Sequence, residues 1–423
     1  MTPRREFENL DAQDPLASLR DLFELPEGII YLDGNSLGPM PRAAAARMQQ
    51  VMREEWGQGL IQSWNEAGWI DLPRRVGDKI ARLVGVGSGE VMVADSTSVN
   101  LFKVLSAALR IMQHDRPDRR VILSERTNFP TDLYIAESLA QSQGFRLELA
   151  EAGEIPSRLR DDVALLLLTQ VNYRTGHLHD MANLNGLAHH AGALAIWDLA
   201  HSAGALPVNL MGDGSAESAA DFAVGCGYKF LNGGPGAPAF VWAHPRNVGR
   251  FRQPLSGWLG HAAPFDFTPG YEPAHGIGRY LCGTPPVLSM VALECGVDTL
   301  LTAESLGGLA ALRDKSIVLT DAFIKLVEER CAGFGLGLVT PKQADQRGSQ
   351  VSFTHPTGGY PIIQALIARG VIGDFRAPDI LRFGFTPIYT RYSDVWDAVE
   401  QLRAVLESGE WSEARFKAQG LVT

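Results

Sequence analysis

Cysteine is scarce in this chain: Cys226, Cys282, Cys295 and Cys331 are the only four in 423 residues, and they are widely spaced. With no CxxC or zinc-ligand spacing among them, neither a disulfide framework nor a metal site is expected, and a reduced compartment is the simplest reading. No apolar run approaches the roughly 20 residues that a spanning helix needs. Acids stand beside Arg4 and Arg5 and no apolar h-region follows, so a secretory leader is not expected and a cytoplasmic protein is. Basic residues are outnumbered, 38 Lys and Arg against 48 Asp and Glu, giving a net charge of −10 that disfavours nucleic acid or a membrane surface as partner. Neither GxGxxG nor GxxxxGK[ST] occurs, which leaves dinucleotide and P-loop readings without support. Internal repeats and low-complexity segments are also lacking.

What is present is a globular composition with enough apolar material for a sizeable core. From about residue 88 short apolar runs alternate with helical patterns: Val91-Met92-Val93, a helical run over Val99–Met112, Val121-Ile122-Leu123, a helix to about Ala140, and Phe145 to Leu149. Val163 to Leu168 is unbroken and apolar, as expected of a strand covered on both faces. A helix around Ala182–His190, Leu194 to Trp197 and Phe222 to Val224 continue the alternation, which predicts an α/β fold with a mostly parallel central sheet. Before this region, a strand at Ile29 to Leu32 runs into the turn-rich Asp33-Gly34-Asn35-Ser36-Leu37-Gly38, and helices are predicted over Arg42–Glu55 and Pro73–Val84. The loop between them carries Trp56, Trp64 and Trp69, which either pack its underside or wall an aromatic pocket. After residue 300 a long helical pattern over Leu301–Arg330 leads into a smaller α+β unit, with strands at Gly370–Ile372 and Ile380–Phe385 and helices at Ile362–Arg369 and Ser393–Leu406.

The chemistry concentrates around Tyr228-Lys229, which follows the strand at 222–224 and precedes Gly233, Gly234 and Gly236. Taken alone, Lys229 is either an imine-forming lysine or an exposed loop lysine. In an open α/β sheet, ligands collect at the carboxyl ends of the strands. Those ends carry Ser96, Thr97 and Ser98, Phe129 to Asp132, Thr169, Asp198 and His201, and Tyr228-Lys229. Hydroxyls at a helix start serve as N-caps or as a phosphate cradle. Phe129 offers a flat apolar cover, Asp198 a carboxylate for a protonated ring nitrogen, and Lys229 an amine; jointly these suit pyridoxal 5′-phosphate. The GxSxG match at Gly34 to Gly38 invites a hydrolase elbow, but Pro39 and Pro41 delay the helix an elbow requires, so a turn is expected. Arg382 stands in the otherwise apolar Ile380 to Phe385, where a planar donor for a substrate carboxylate is the natural reading. Arg376 and Arg391, in more polar surroundings, read as surface residues.

Several segments together make the chain resemble the kynureninase family, fold-type I pyridoxal-phosphate enzymes related to class V aminotransferases. They are Tyr31 to Gly38, Phe129-Pro130-Thr131-Asp132, Asp198-Leu199-Ala200-His201, Tyr228-Lys229, Gly257-Trp258-Leu259-Gly260-His261 and Thr284-Pro285-Pro286. The resemblance runs nearly end to end. It implies an N-terminal segment 1–44 packing with the small domain, a large cofactor-binding domain 45–300 and a small C-terminal domain 301–423. It further implies Lys229 as the imine lysine, with Thr97, Ser98, Phe129, Asp132, Thr169, Asp198, His201, Tyr228, Trp258 and Thr284 as cofactor neighbours. A homodimer follows from it, Trp258 and Thr284 reaching the cofactor of the other subunit. The implied reaction is Cβ–Cγ hydrolysis of L-kynurenine to anthranilate and L-alanine in tryptophan catabolism, with 3-hydroxykynurenine as a second candidate substrate. Arg382 would bind the substrate carboxylate, and Trp64 with Gly283 and Thr284 would wall the aryl pocket. Tyr228 is either the acid that protonates the β carbon or a phosphate hydrogen-bonder. The alternatives are a class V aminotransferase, a cysteine desulfurase or a non-catalytic binding protein. Desulfurases typically place His before the lysine and use a loop cysteine, whereas Tyr228 stands here and Cys331 lies at a helix end.

Overall fold

The computed structural model describes residues 3–250, 252–418 and 420. Its centre is a seven-stranded sheet. In spatial order the strands are Val91–Val93, Phe240–Ala243, Phe222–Gly225, Leu194–Asp198, Val163–Thr169, Val121–Glu125 and Arg146–Ala150. Phe240–Ala243 runs antiparallel to both of its neighbours, and the remaining pairings are parallel. Six strands, Val91–Val93 among them, therefore run the same way and end at the edge that carries Lys229.

Alternate side chains of each strand point to opposite faces, and both faces are covered. Leu165, Leu167, Ile196 and Val224 pack with Val104, Leu105 and Leu109 of the helix Thr97–Asp115 and with Ala136 of the helix Pro130–Gln143. Leu166, Leu168, Ala195 and Trp197 share a second core with Val76 and Ile80 of the helix Leu72–Val84 and Met290 and Val297 of Val287–Thr302. This two-sided burial is why Val163–Thr169 reads as one uninterrupted apolar run.

A separate core forms around a four-stranded antiparallel sheet, ordered Gly337–Leu338, Gln350–Thr354, Ile380–Gly384 and Asp374–Arg376. Phe323 of the helix Gly308–Arg330 and Leu402 of the helix Tyr392–Ser408 seal it. Phe7 and Leu32 join this core, Leu16 and Phe23 join the larger one, and Ile30–Tyr31 pairs in parallel with Val371–Ile372.

Three local expectations are corrected. The helical pattern over 301–330 is two helices, Val287–Thr302 and Gly308–Arg330, separated by a turn in which Gly307 takes φ of 99°. A left-handed glycine at that point ends one helix and re-aims the next. The helix from Arg42 stops being α-helical at Gln50 and continues as a wider π-type stretch over Val51–Gly59. Short helical turns, Leu60–Gln62 and Ser63–Glu66, then occupy what reads as a loop. Among the described residues, no helix is long and apolar enough to cross a membrane.

Candidate active site

The parallel strand ends enclose a cavity of about 120 Å³. Thr97 and Ser98 reach it from the start of the helix Thr97–Asp115, whose first turn is capped by Ser96 Oγ, 3.3 Å from the Val99 amide. Phe129 and Asp132 come from the start of the next helix, Thr169 and Asp198 from adjacent strand ends, and His201 from the turn after Asp198. Tyr228 and Lys229 close it from the loop after Phe222–Gly225.

That loop is shaped by close backbone approaches. The Gly38 amide donates to the Tyr228 carbonyl at 2.8 Å. A Cβ on Gly38 would stand 2.6 Å from the Lys229 carbonyl oxygen, so only glycine permits the contact. The Gly34–Gly38 stretch is thus a turn docked on the lysine loop, as expected, with no elbow geometry.

Lys229 Nζ lies 2.9 Å from His201 Nε2 and 5.9 Å from the Phe129 ring centroid. His201 is buried, and its Nδ1 has no hydrogen-bond partner. Burial first, then the charges of Lys229, Arg382 and Arg376, hold its pKa well below the ordinary imidazole value, so the ring is neutral. Asp132 and Asp198 are both buried. Burial raises both carboxyls, and for Asp132 the neighbouring Asp198 adds repulsion; Lys229 opposes both shifts. Asp198 Oδ1 accepts from the Ala200 amide at 2.8 Å, and the Thr169 hydroxyl stands 3.4 Å from Asp132 Oδ2. Burial also raises the half-buried Tyr228 phenol, which therefore keeps its proton at neutral pH. Chemically this is an anion-accepting helix start, a flat apolar face, a primary amine and a buried acid pair with one cationic neighbour.

Arg382, 1% exposed, has four of its five N–H donors engaged, Nη2 donating to Asp374 Oδ2 as well as to Ser36. Its Nε donates to Asp374 Oδ1 at 2.8 Å, Nη1 to the Tyr173 carbonyl at 2.7 Å and Nη2 to Ser36 Oγ at 2.7 Å. Tyr173 itself lines the cavity. Arg376, expected on the surface, is corrected: it is half-buried, 2.6 Å from Asp374 Oδ2 and 3.0 Å from Ser36 Oγ. Asp374 faces Arg382 across the strand pair, and Arg376 follows two positions later on the same face. Ser36 donates to Asp374 Oδ2 at 2.7 Å, so its hydroxyl is committed to this cluster. Asp33, beside them, is pushed up to about 7, by burial and then by the Asp374 charge, with Arg382 opposing. Arg391 is exposed, as expected.

Five expected residues do not line the lysine cavity within one chain: Arg382, which reaches it through the Tyr173 carbonyl, and Gly283, Thr284, Trp64 and Trp258. Gly283 and Thr284 line a neighbouring cavity of about 480 Å³ that shares Ser96 and Tyr228 with it. Trp64 packs edge-on to Trp69, and Trp258 lies against Phe265 and Phe267. Sequence reasoning gave no role to Asp33, Ser36, Asp374 or Tyr173. The available signal was charge at alternate positions, Asp374 and Arg376, in a segment short enough to pass for a loop.

A family model described as the kynureninase C-terminal domain matches residues 312–402. The kynureninase of Pseudomonas fluorescens is 56% identical over 426 aligned residues that cover 100% of both chains. Among solved structures, an apo cysteine desulfurase from Thermococcus onnurineus NA1 superposes with a TM-score of 0.76 at 18% identity, over 92% of this chain and 98% of that one. A variant of C-DES with glycine covalently linked to its PLP cofactor superposes with a TM-score of 0.74 at 17% identity, over 95% and 99%. At those identities the structural likeness establishes the fold-type I architecture, and the chemistry rests on the sequence relatives. With more than half of its residues shared along its whole length, the chain belongs to the kynureninase family.

Proposed function

We infer that this protein hydrolyses L-kynurenine to anthranilate and L-alanine with pyridoxal 5′-phosphate as cofactor. The observation that carries the reading is the end-to-end identity with a kynureninase, joined to Tyr228-Lys229 at the mouth of a cavity whose donors suit that cofactor. The fit can be argued from orphaned groups. Asp132 and Asp198 crowd two buried carboxyls together, and a protonated pyridine nitrogen would give Asp198 a cationic partner. Phe129, 40% exposed, leaves an aromatic face uncovered over the cavity. The first turn of the helix at Thr97, with the Thr97 and Ser98 hydroxyls, suits a phosphate.

When bound, pyridoxal phosphate supplies a carbonyl carbon for the amine and an electron sink for charge developing at the substrate. Lys229 would hold the cofactor through its amine, and its Nζ is the base placed to accept a proton from the substrate Cα. Neutral His201, in reach of Nζ, orients the lysine without adding charge. Phe129 would cover one face of the cofactor and exclude water from it. The Thr169 hydroxyl donates to Asn128 Oδ1 beside Asp132, and Asp198 would keep a bound ring nitrogen protonated. Arg382 and Arg376 fix the substrate carboxylate, with Asp374 and Ser36 orienting both guanidiniums. Tyr228, protonated at neutral pH, delivers a proton to Cβ after water has added to the aryl ketone and the Cβ–Cγ bond has broken. The desulfurase alternative lacks a nucleophile at Cys331, which is buried with its thiol pushed up to about 12, chiefly by burial.

A homodimer fits the exposed apolar residues Met52, Trp56, Leu60 and Ile61. In it, Trp258 and Thr284 of one subunit complete the cofactor site of the other, and Trp64 and Gly283 wall the aryl pocket. The test is an absorbance band near the visible edge that borohydride abolishes, followed by release of fluorescent anthranilate from L-kynurenine. A protein with the band and no anthranilate would overturn the substrate assignment, and one without the band would overturn the cofactor.

A further inference from the structure

The strand Val121–Glu125 ends on a carboxylate that is 6% exposed and outside the lysine cavity. Glu125 Oε2 accepts from Nε2 of the buried His179 at 2.7 Å, and Oε1 accepts from Nδ2 of the buried Asn172 at 2.8 Å. Burial opposes ionisation of Glu125, but the bond and charge of His179 outweigh it and hold the carboxyl below its usual range. The Thr127 hydroxyl donates to Oε1 as well.

Two arms leave this carboxylate. One runs through Thr127 to Asn128, whose Oδ1 accepts from the Phe129 amide at 2.7 Å. The other runs through Asn172, whose Oδ1 accepts from the amides of Arg174 at 2.9 Å and Thr175 at 3.1 Å, fixing the turn around Tyr173. The Tyr173 carbonyl in turn accepts from Arg382 Nη1 at 2.7 Å. The arms meet where the rings of Phe129 and Tyr173 stand edge to face, 5.3 Å apart.

We propose that Glu125 and His179 are a positioning pair. Their buried bond sets the placement of Phe129 over the cofactor through Thr127, and of the Tyr173 carbonyl under Arg382 through Asn172. Cofactor stacking and substrate-carboxylate binding are thereby tied to one carboxylate that touches neither ligand. This rests on the roles proposed above for Phe129 and Arg382.

The test compares Glu125→Ala, His179→Phe and His179→Gln with Asp221→Asn. Asp221 is an equally buried carboxylate that accepts from His189, Asn247 and the Ala195 amide, and it lies at the opposite edge of the sheet, where Phe222–Gly225 begins. Three quantities are read: the melting temperature, the dissociation constant of pyridoxal phosphate titrated into apo-protein by tryptophan fluorescence, and KM for L-kynurenine in the holoenzyme. Glu125→Ala and His179→Phe are expected to raise both constants roughly 10-fold or more, since small misplacements of positioning groups are costly. His179→Gln keeps a donor to Glu125 and should restore both to within about a factor of two. Asp221→Asn should lower the melting temperature alone. If Glu125→Ala and His179→Phe lower only the melting temperature, or move only one of the two constants, the pair is structural and the proposal falls. Should Glu125→Ala fail to fold, the two His179 variants decide. Should the wild type release no anthranilate, the substrate reading fails separately and the cofactor constant still judges the pair.

Discussion

Removing the Arg382 side chain puts the carboxylate assignment at risk in a measurable way. Its guanidinium makes three bonds of 2.7–2.8 Å, to Asp374, Tyr173 and Ser36, so it is already oriented when substrate arrives. A hydrogen bond to a charged group contributes about 1.5–3 kcal/mol, and the one N–H that Arg382 has left can make one such bond to a substrate carboxylate. Arg376, 2.6 Å from Asp374, remains in Arg382→Ala and offsets part of the loss. A net loss of about 2 kcal/mol corresponds to roughly 30-fold in kcat/KM. Arg376 also keeps Asp374 paired, so the stability cost should fall below the roughly 3–5 kcal/mol of a wholly orphaned buried charge. The assay is anthranilate fluorescence at varied L-kynurenine, alongside inhibition constants for L-kynurenine's decarboxylated amine. Arg382→Ala should raise KM steeply, keep the cofactor absorbance band and leave the amine's inhibition constant near that of the wild type. An unchanged KM, or equal weakening of the amine and of carboxylate-bearing ligands, would refute the reasoning.

Tyr228→Phe should slow anthranilate formation by about 10²–10⁴-fold with the cofactor still bound, as expected for loss of a positioned acid; an unchanged rate would remove Tyr228 from that role. Asp33 is protonated more readily in the folded chain than in the unfolded one, so its contribution is present at low pH and lost as pH rises toward about 7. Asp33→Asn should therefore raise the melting temperature at pH 8 by about 2 °C or more relative to its effect at pH 4, and equal effects at both would contradict the burial assigned to it. His201 is held neutral in the fold, so apo-protein stability should fall as pH drops below the ordinary imidazole value of 6.5, where only the unfolded chain takes up the proton. A His201→Gln variant should lose part of that slope in urea titrations. Ile61, 77% exposed, should sit in the dimer interface, and Ile61→Asp should shift the mass measured by light scattering toward the monomer.

The parts of the fold that could be read from the sequence are those where a residue's surroundings are local or uniform. Val163–Thr169 is buried on both faces, so its apolar run declares it. The residues at the strand ends were legible because parallel topology alone sends them to one edge. Arg376 was not: its partner Ser36 is 340 positions away, and nothing near it in sequence hints that Asp374 and two guanidiniums share one hydroxyl. The break at Gly307 was hidden because apolar spacing persists on both sides of it. The aromatic segment at 51–66 misled for a related reason, since widened helical turns keep no 3.6-residue period. Glu125 and His179 were silent because a buried acid–base pair looks, residue by residue, like two unrelated polar positions.

The placement of Val91–Val93 at the sheet's edge dictates when the binding site comes into being. That strand pairs with Phe240–Ala243 alone within the sheet, Val93 opposite Phe240, although the two are remote in the chain. As the chain leaves the ribosome, the helix Thr97–Asp115 can pack on Ala136 and Leu165, but the strand Val91–Val93 before it has no strand to pair with until Phe240–Ala243 has emerged and paired with Phe222–Gly225. Long-range pairings of this kind form late, because closing so large a loop costs entropy before any contact repays it. The edge strand that leads into Ser96, Thr97 and Ser98 and the loop of Tyr228 and Lys229 therefore take their final places late in assembly of the large sheet. A cofactor held between Thr97 and Lys229 would tie the edge strand's helix to the lysine loop, so its binding should raise the melting temperature of the folded chain.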